Sequence, residues 1–262
     1  MQTCSTDQTQ QPGTACTPDD LRRVAEHLQL LNERKDRFIS VLAHELRTPL
    51  APIANAVDAL TMAANQSDMV PQACGIIRRQ MYLLNRLVDD LFDITRIARG
   101  SIELRKDPVD LALVIQGSVE SVRTLIESQG LKLTISLPEE PLVLHADAAR
   151  LAQVFTNLLH NAAKFTDAGG SVSVTVERAE DAAVIRVRDS GIGISADAMP
   201  FIFELFTRAE PESRVPAGGL GIGLAVARQL VELHAGSITV SSDGPGRGSE
   251  FVVRLPLMQA QG

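Results

Sequence analysis

The sequence predicts an α+β protein in two parts. A helical-hairpin dimerisation domain, completing a four-helix bundle in the dimer, is followed by an α/β sandwich. Three observations carry this. Between Leu28 and Leu91, apolar residues recur at alternating spacings of three and four, as in helices that pack on helices. A polar run, Asn65-Gln66-Ser67-Asp68, and then Pro71 divide that pattern into two stretches. After Gly100 the texture changes to short β-alternating runs interleaved with helical ones.

Taken in order, residues 1–18 are polar and predict a disordered tail. Residues 19–100 form the helical domain. Its first seam runs through Leu28, Leu31, Lys35, Phe38, Leu42 and Glu45, and continues through Ile53, Val57 and Leu60. The second stripe holds Ile77, Met81, Leu84, Val88 and Leu91, and Arg99-Gly100 closes it. Each stripe has little within the hairpin to cover it, so a homodimer is expected. Residues 101–262 form the second domain. Ser101–Arg105 alternates like a strand, Asp110 opens a helix over Leu111–Ser128, and Leu131–Leu137 and Leu142–His145 read as strands. Asp147 is placed to cap a helix running to Phe165. Strands over Ser171–Arg178 and Ala183–Asp189 flank the Glu180-Asp181 turn. A short helix lies near 197–204 and a longer one over Gly221–His234. A hairpin, Ser237–Ser242 with Ser249–Leu255, closes the domain. The sheet is expected to be mostly antiparallel, with helices on one face.

Composition narrows the function. The chain has 262 residues, 45% hydrophobic and 22% charged, which is globular. It has no Trp and 3% aromatics, so base stacking on aromatic platforms is a poor reading. Net charge is −7, of which residues 101–262 carry −6, so no nucleic-acid partner is expected. An acidic second half that binds an anionic nucleotide would need a metal and local donors. No apolar run approaches the roughly 20 residues of a membrane span. The N-terminal residues lack a secretory pattern, and Cys4, Cys16 and Cys74 are too scattered for a disulfide framework. A reduced, cytoplasmic setting is expected.

Four constellations carry chemistry. In the first, His44-Glu45-Leu46-Arg47-Thr48-Pro49-Leu50 lies within the first helix. Thr48 is one turn beyond His44 on the same face. Pro49 removes a backbone bond and bends the helix just past the histidine, at a cost of about 3 kcal/mol. In the second, Asn157 and Asn161 share a helix face with Lys164. Carboxamide oxygens suit a hard cation, and the ammonium suits phosphate. A pair of exposed helical asparagines is the alternative. In the third, Asp189-Ser190-Gly191-Ile192-Gly193 ends a strand. Its carboxylate can accept from an exocyclic amine, while Gly191 and Gly193 permit close backbone approach to a ligand. An ordinary turn is the alternative. In the fourth, Gly219, Gly221 and Gly223 with Leu224 run into a helix whose N-terminal amides suit polyphosphate. No Lys-Ser/Thr follows, so it is not a P-loop. Between the last two lie Phe203–Phe206 and a Pro-, Glu- and Ser-containing stretch to Ala217 that reads as a lid.

Together these residues resemble the catalytic core of a bacterial sensor histidine kinase over about residues 21–257. His44–Pro49 resemble the phosphoacceptor box. Asn157–Lys164 resemble the asparagine box, Asp189–Gly193 and Gly219–Gly223 the two glycine boxes, and Phe203–Phe206 the phenylalanine box. Leu220 and Ile222 depart from the usual Thr/Ser and Leu of the second glycine box. The resemblance implies a Bergerat-type (GHKL) ATP-binding fold, with ATP and Mg²⁺ as cofactors. It implies that His44 is phosphorylated, with Glu45 handling its proton and Thr48 assisting dephosphorylation of the partner. It assigns Asp189 to adenine, Asn161 to Mg²⁺ with Asn157 nearby, and Lys164 and the glycine amides to phosphates. The implied partner is the receiver domain of a response regulator. A clamp ATPase of the gyrase or chaperone class is disfavoured, because Asn157 stands where such enzymes need a base and an amide cannot take a proton. A catalytically silent dimeric scaffold has no support, since the expected polar groups are present. His27, His145, His160, His234 and Cys74 receive no chemical role.

Overall fold

The computed structural model describes residues 18–62, 69–98, 102–205 and 221–258. The expected tail, inter-helix turn, lid and Arg99-Gly100 ending therefore lie outside the described residues, apart from Pro18. The chain divides into two units, Met1–Ala43 and His44–Gly262, with the boundary inside the first helix.

Helix α1 spans Pro18–Met62 and α2 spans Met69–Ala98. Pro49 and Pro52 both lie within α1. Pro71 falls in the first turn of α2, where a missing N–H costs nothing, so it starts the helix as well as interrupting the pattern. On the expected stripes Val57, Met81 and Val88 are exposed, and Ile53, Leu60, Ile77, Leu84 and Leu91 are half-buried.

The remaining chain builds a sheet with helices. Strand β1 (Asp107–Asp110) pairs antiparallel with β3 (Val143–Ala146) as a two-stranded ribbon. Of the strand expected at 101–105, the described residues 102–105 form none: the ladder begins at Asp107. The Arg105 amide is used by the Asp147 carboxylate at 3.0 Å instead. The main sheet has the order β2 (Lys132–Ser136), β4 (Ser171–Ala179), β5 (Ala182–Asp189), β7 (Ser249–Pro256), β6 (Ser237–Ser241). Its pairs are antiparallel except β2 with β4, which is parallel. A parallel pair needs a crossover, and α4 (Ala148–Lys164) lies on that connection. The short helix expected near 197–204 is a single 3₁₀ turn, Met199–Phe201.

Periodicity explains the core. Helix α3 (Leu111–Ser128) buries Leu111, Ile115, Val119, Val122 and Ile126. Helix α4 buries Leu151, Val154, Phe155, Leu158, Leu159, Ala162 and Ala163. Period two on the strands buries Val172, Val174 and Val176 on β4, Ala183, Ile185 and Val187 on β5, and Phe251, Val253 and Leu255 on β7. Each large apolar side chain removed from water contributes about 1.5–3 kcal/mol. Asp110 and Asp147 cap α3 and α4 by accepting from the amides of Ala112 (2.9 Å) and Arg150 (3.1 Å), worth about 1 kcal/mol each.

Helix α5 (Gly223–Leu233) ends in a Schellman motif. Ala235 N–H donates to Glu232 O and Gly236 N–H to Val231 O, both at 2.9 Å. The motif forces Ala235 to φ 57, a left-handed value costing an L-residue about 1–2 kcal/mol. Ala235→Gly removes that strain and raises unfolded-state entropy less than it relieves. Thermal unfolding is expected to show a gain of roughly 0.5–1 kcal/mol, about 2 °C in Tm. A loss of stability would contradict the assignment.

Candidate functional site

His44 is exposed on α1, while Glu45, the next residue, is only 7% exposed and Pro49 is buried. Consecutive helical residues lie about 100° apart, so the two side chains leave the helix in different directions. Thr48 is exposed, and its Oγ1 donates to the His44 carbonyl at 3.0 Å. Pro49 has no N–H, so the Glu45 carbonyl loses its usual helical partner.

Helix α4 presents Asn157, Asn161 and Lys164 along one face. Asn157 is buried, which removes the exposed-asparagine alternative for that residue. Its Nδ2 donates to the Gly223 carbonyl at 3.3 Å, so its amide joins α4 to the start of α5. Asn161 and Lys164 are half-buried in the last turns of the helix. The Lys164 ammonium lies 4.8 Å from the Phe165 ring centroid.

Strand β5 delivers Asp189. The alternation that turns Ile185 and Val187 inward turns Asp189 inward too, at the end of the strand, where it is 6% exposed. A buried carboxylate is costly unless hydrogen-bonded. Oδ1 accepts from Gly191 N–H (2.8 Å) and Ser249 N–H (3.2 Å), and Oδ2 accepts from Ser249 Oγ at 2.5 Å. Oδ2 keeps lone-pair capacity for one more donor.

The glycines that follow are approached by the chain's own backbone. A Cβ on Gly191 would overlap the Phe165 carbonyl at the end of α4. A Cβ on Gly193, at φ 70, would overlap the Gly244 carbonyl. Both allow backbone to meet backbone. Ile192 N–H donates to Phe165 O (3.0 Å), Gly246 N–H to Ile192 O (2.7 Å) and Gly248 N–H to Gly191 O (3.0 Å). The turn after β5 is thereby laced to α4 on one side and to the β6–β7 loop on the other.

Gly219 lies outside the described residues. Gly221 precedes α5, which starts at Gly223 with Leu224 half-buried behind it. Phe203 packs edge-on against Phe251 of β7, with centroids 6.3 Å apart. The Arg228 guanidinium of α5 lies 5.9 Å from its ring.

Sequence reasoning missed Ser249, Ser242 and the Phe165 carbonyl. Ser242 Oγ accepts from Ile194 N–H at 3.0 Å and donates to Gly248 O at 2.6 Å, fastening the same loop. The available signal was positional. Ser249 opens the strand after the glycine-rich loop, and β7 pairs with β5 so that Ser249 stands opposite Asp189.

Two family models match the chain. Residues 34–100 match the His Kinase A (phospho-acceptor) domain, and residues 146–259 match the histidine kinase-, DNA gyrase B-, and HSP90-like ATPase. The signal transduction histidine-protein kinase BaeS of Escherichia coli is 32% identical over 91% of this chain and 50% of its own length. The probable sensor histidine kinase TcrY of Mycobacterium tuberculosis is 36% identical over 84% of this chain and 46% of its own. The chain thus spans about half the length of these relatives. Among solved structures, the mycobacterial sensor histidine kinase MprB is 30% identical with a TM-score of 0.50, covering 59% of this chain and 99% of that one. Full-length ShkA in complex with AMPPNP is 25% identical with a TM-score of 0.61, covering 87% of this chain and 47% of that one. In this chain a phospho-acceptor domain is followed by an ATPase domain, and the chain belongs to the histidine kinase family.

Proposed function

We propose that this chain uses ATP to phosphorylate its own His44 and passes the phosphoryl group to an aspartate on the receiver domain of a response regulator. The observation that carries this is the pairing, in one chain, of an exposed histidine in a proline-interrupted helix with a buried Asp189 carboxylate whose turn is bonded to the end of α4. Residues 19–100 are the dimerisation and phosphotransfer domain in this reading, and 101–262 the ATP-binding domain. The exposed Val57, Met81 and Val88 suit burial in a homodimer.

Asp189 reads the adenine amino group, through the lone-pair capacity left on Oδ2. The α5 N-terminus with Gly221 and Gly223 offers backbone donors and a positive dipole end to the phosphates, and Lys164 adds charge. Among the described residues no cluster of three His, Cys, Asp or Glu could form a protein-only metal cage. A half-buried carboxamide such as Asn161 instead fits Mg²⁺ held mainly by phosphate oxygens. Bound there, Mg²⁺ would supply charge neutralisation on the phosphates. His44, neutral, uses a ring lone pair to form the N–P bond as the bond from the γ-phosphorus to the bridging oxygen breaks and ADP leaves. The product imidazolium must shed its remaining N–H proton, and Glu45 accepts or orients it.

The clamp-ATPase alternative loses further ground here. Asn157 is buried and donates to Gly223, so it holds two helices together. No helix among the described residues is long and apolar enough to cross a membrane. A cytoplasmic setting suits the chemistry, since ATP and a regulator must both be present.

Incubation with γ-labelled ATP is expected to give acid-labile, base-stable label on the wild type and none on His44→Ala, which should still bind nucleotide. Asn161→Ala should raise the Mg²⁺ needed by at least roughly tenfold. Released phosphate without label would favour a clamp ATPase. Thr48 tests a second activity. If its hydroxyl orients water on the regulator's phospho-aspartate, Thr48→Ala slows regulator dephosphorylation and spares His44 labelling. If its bond to the His44 carbonyl is its whole role, both rates fall together or neither changes.

A further inference from the structure

Helices α4 and α5 run antiparallel and are tied at two places. At the first, Asn157 donates to the Gly223 carbonyl, at the N-terminus of α5. At the second, the Asp147 backbone N–H donates to His234 Nε2 at 3.0 Å, joining the start of α4 to the end of α5. With a rise of 1.5 Å per residue, the ties lie about 15 Å apart along each helix. The first tie borders the end of α5 assigned to the phosphates, so the two ties act on the helix pair that carries that end.

His234 is 4% exposed. Its Nδ1 lies 2.7 Å from the Leu230 carbonyl, which can only accept. Nδ1 therefore carries the proton, and Nε2, facing an N–H, carries none. The hydrogen-bond network thus assigns a neutral ring in one tautomer. The segment entering the domain arrives at the same spot. Arg105 N–H donates to Asp147 Oδ2 at 3.0 Å, and Lys106 Nζ donates to the Leu233 carbonyl at 2.9 Å, capping the last turn of α5. Asp147 also caps α4 through Arg150 N–H.

We propose that neutral His234 is a positioning residue for the nucleotide site: with Asp147 it locks the entering segment 102–106 to both α4 and α5, and its protonation opens the lock. This rests on the nucleotide reading of the α4–α5 face and extends it to control by pH. Protonation would set a ring N–H against the Asp147 N–H, donor against donor. Burial is the main force against the charged ring. The Leu230 carbonyl favours that form, Lys106 opposes it and the Asp147 carboxylate favours it, leaving the ring below its ordinary 6.5. Asp147 is itself held below the usual carboxylate range. Burial would raise it, but the amides of Arg105, Arg150 and Ala149 and the Arg150 charge outweigh that. On α5, Glu232 is engaged by Arg228 at 2.8 Å. Because the folded value is depressed, the unfolded chain takes up the proton first. The lock is complete above about pH 6.5 and is lost as pH falls from there through the folded value.

The test measures binding of a fluorescent ATP analogue with Mg²⁺ to the full chain between about pH 7.5 and pH 5.5, in wild type and His234→Gln. Gln keeps one acceptor and one donor but does not titrate, and the ratio of the two proteins cancels titration of the nucleotide. Wild-type affinity should fall several-fold further than that of the variant, with about tenfold the ceiling that each unit below 6.5 allows. Parallel profiles would overturn the proposal. Hydrogen exchange on nucleotide-free protein should show α5 amides losing protection at low pH in wild type only. Equal α5 protection in the two proteins at low pH would also overturn it. An analogue that fails to bind wild type at about pH 7.5 would refute the nucleotide reading, and the exchange measurement would still decide the lock. Should His234→Gln not fold, the wild-type His234 ring signal must titrate by NMR with the same midpoint as the α5 protection loss, and differing midpoints would overturn the proposal.

Discussion

The buried carboxylate of Asp189 is the constraint around which the second domain is arranged. A carboxylate at 6% exposure is tolerable only with donors on its oxygens. Three are supplied: the amide of Gly191 and the amide and hydroxyl of Ser249. Satisfying them fixes the turn after β5 and the start of β7 in one stroke. That turn must then pass close to the end of α4, which admits only glycine at 191. A chain that failed to bring β7 beside β5 would leave a charge buried without partners.

The rest of the proposed nucleotide face follows from that floor. Helix α4 is capped by Asp147 at one end and meets the Asp189 turn at the other, through Ile192 N–H on the Phe165 carbonyl. Helix α5 leans on α4 through Asn157 at its start and His234 at its end. Asn161, Lys164 and the α5 N-terminus therefore sit on elements whose positions are set by buried hydrogen bonds. The division of labour is physical. In the proposed reading His44, exposed on its helix, is free to meet a partner, while the groups assigned to hold ATP are carried by a packed scaffold.

Much of this was legible in the sequence where the signal is local. Asp110 and Asp147 mark helix starts in the sequence, because a short acidic side chain before an apolar-periodic run has one good use. Strands β4, β5, β6 and β7 were read from period two, and Asp189 stood out as a carboxylate ending an apolar strand. What depended on distant pairing was not legible. Ser249 looked like the first residue of a hairpin strand until its register opposite Asp189 was known. Residues 101–105 alternate like a strand, but only β1 has β3 beside it, and Arg105 is drawn to Asp147. Gly191 and Gly193 mark sites of close approach in the sequence, and the fold brings the chain's own backbone to both. His234 matched no motif, since its partners lie at the far end of α4 and in the entering segment.

The most direct test of the account is calorimetric titration of ATP against GTP. A carboxylate acceptor at Asp189 favours the adenine amino group and meets the carbonyl of guanine with repulsion. The account predicts clear preference for ATP in the wild type and loss of that preference in Asp189→Asn, which should remain folded at neutral pH. Equal binding of GTP by the wild type, or an unchanged preference in Asp189→Asn, would contradict it.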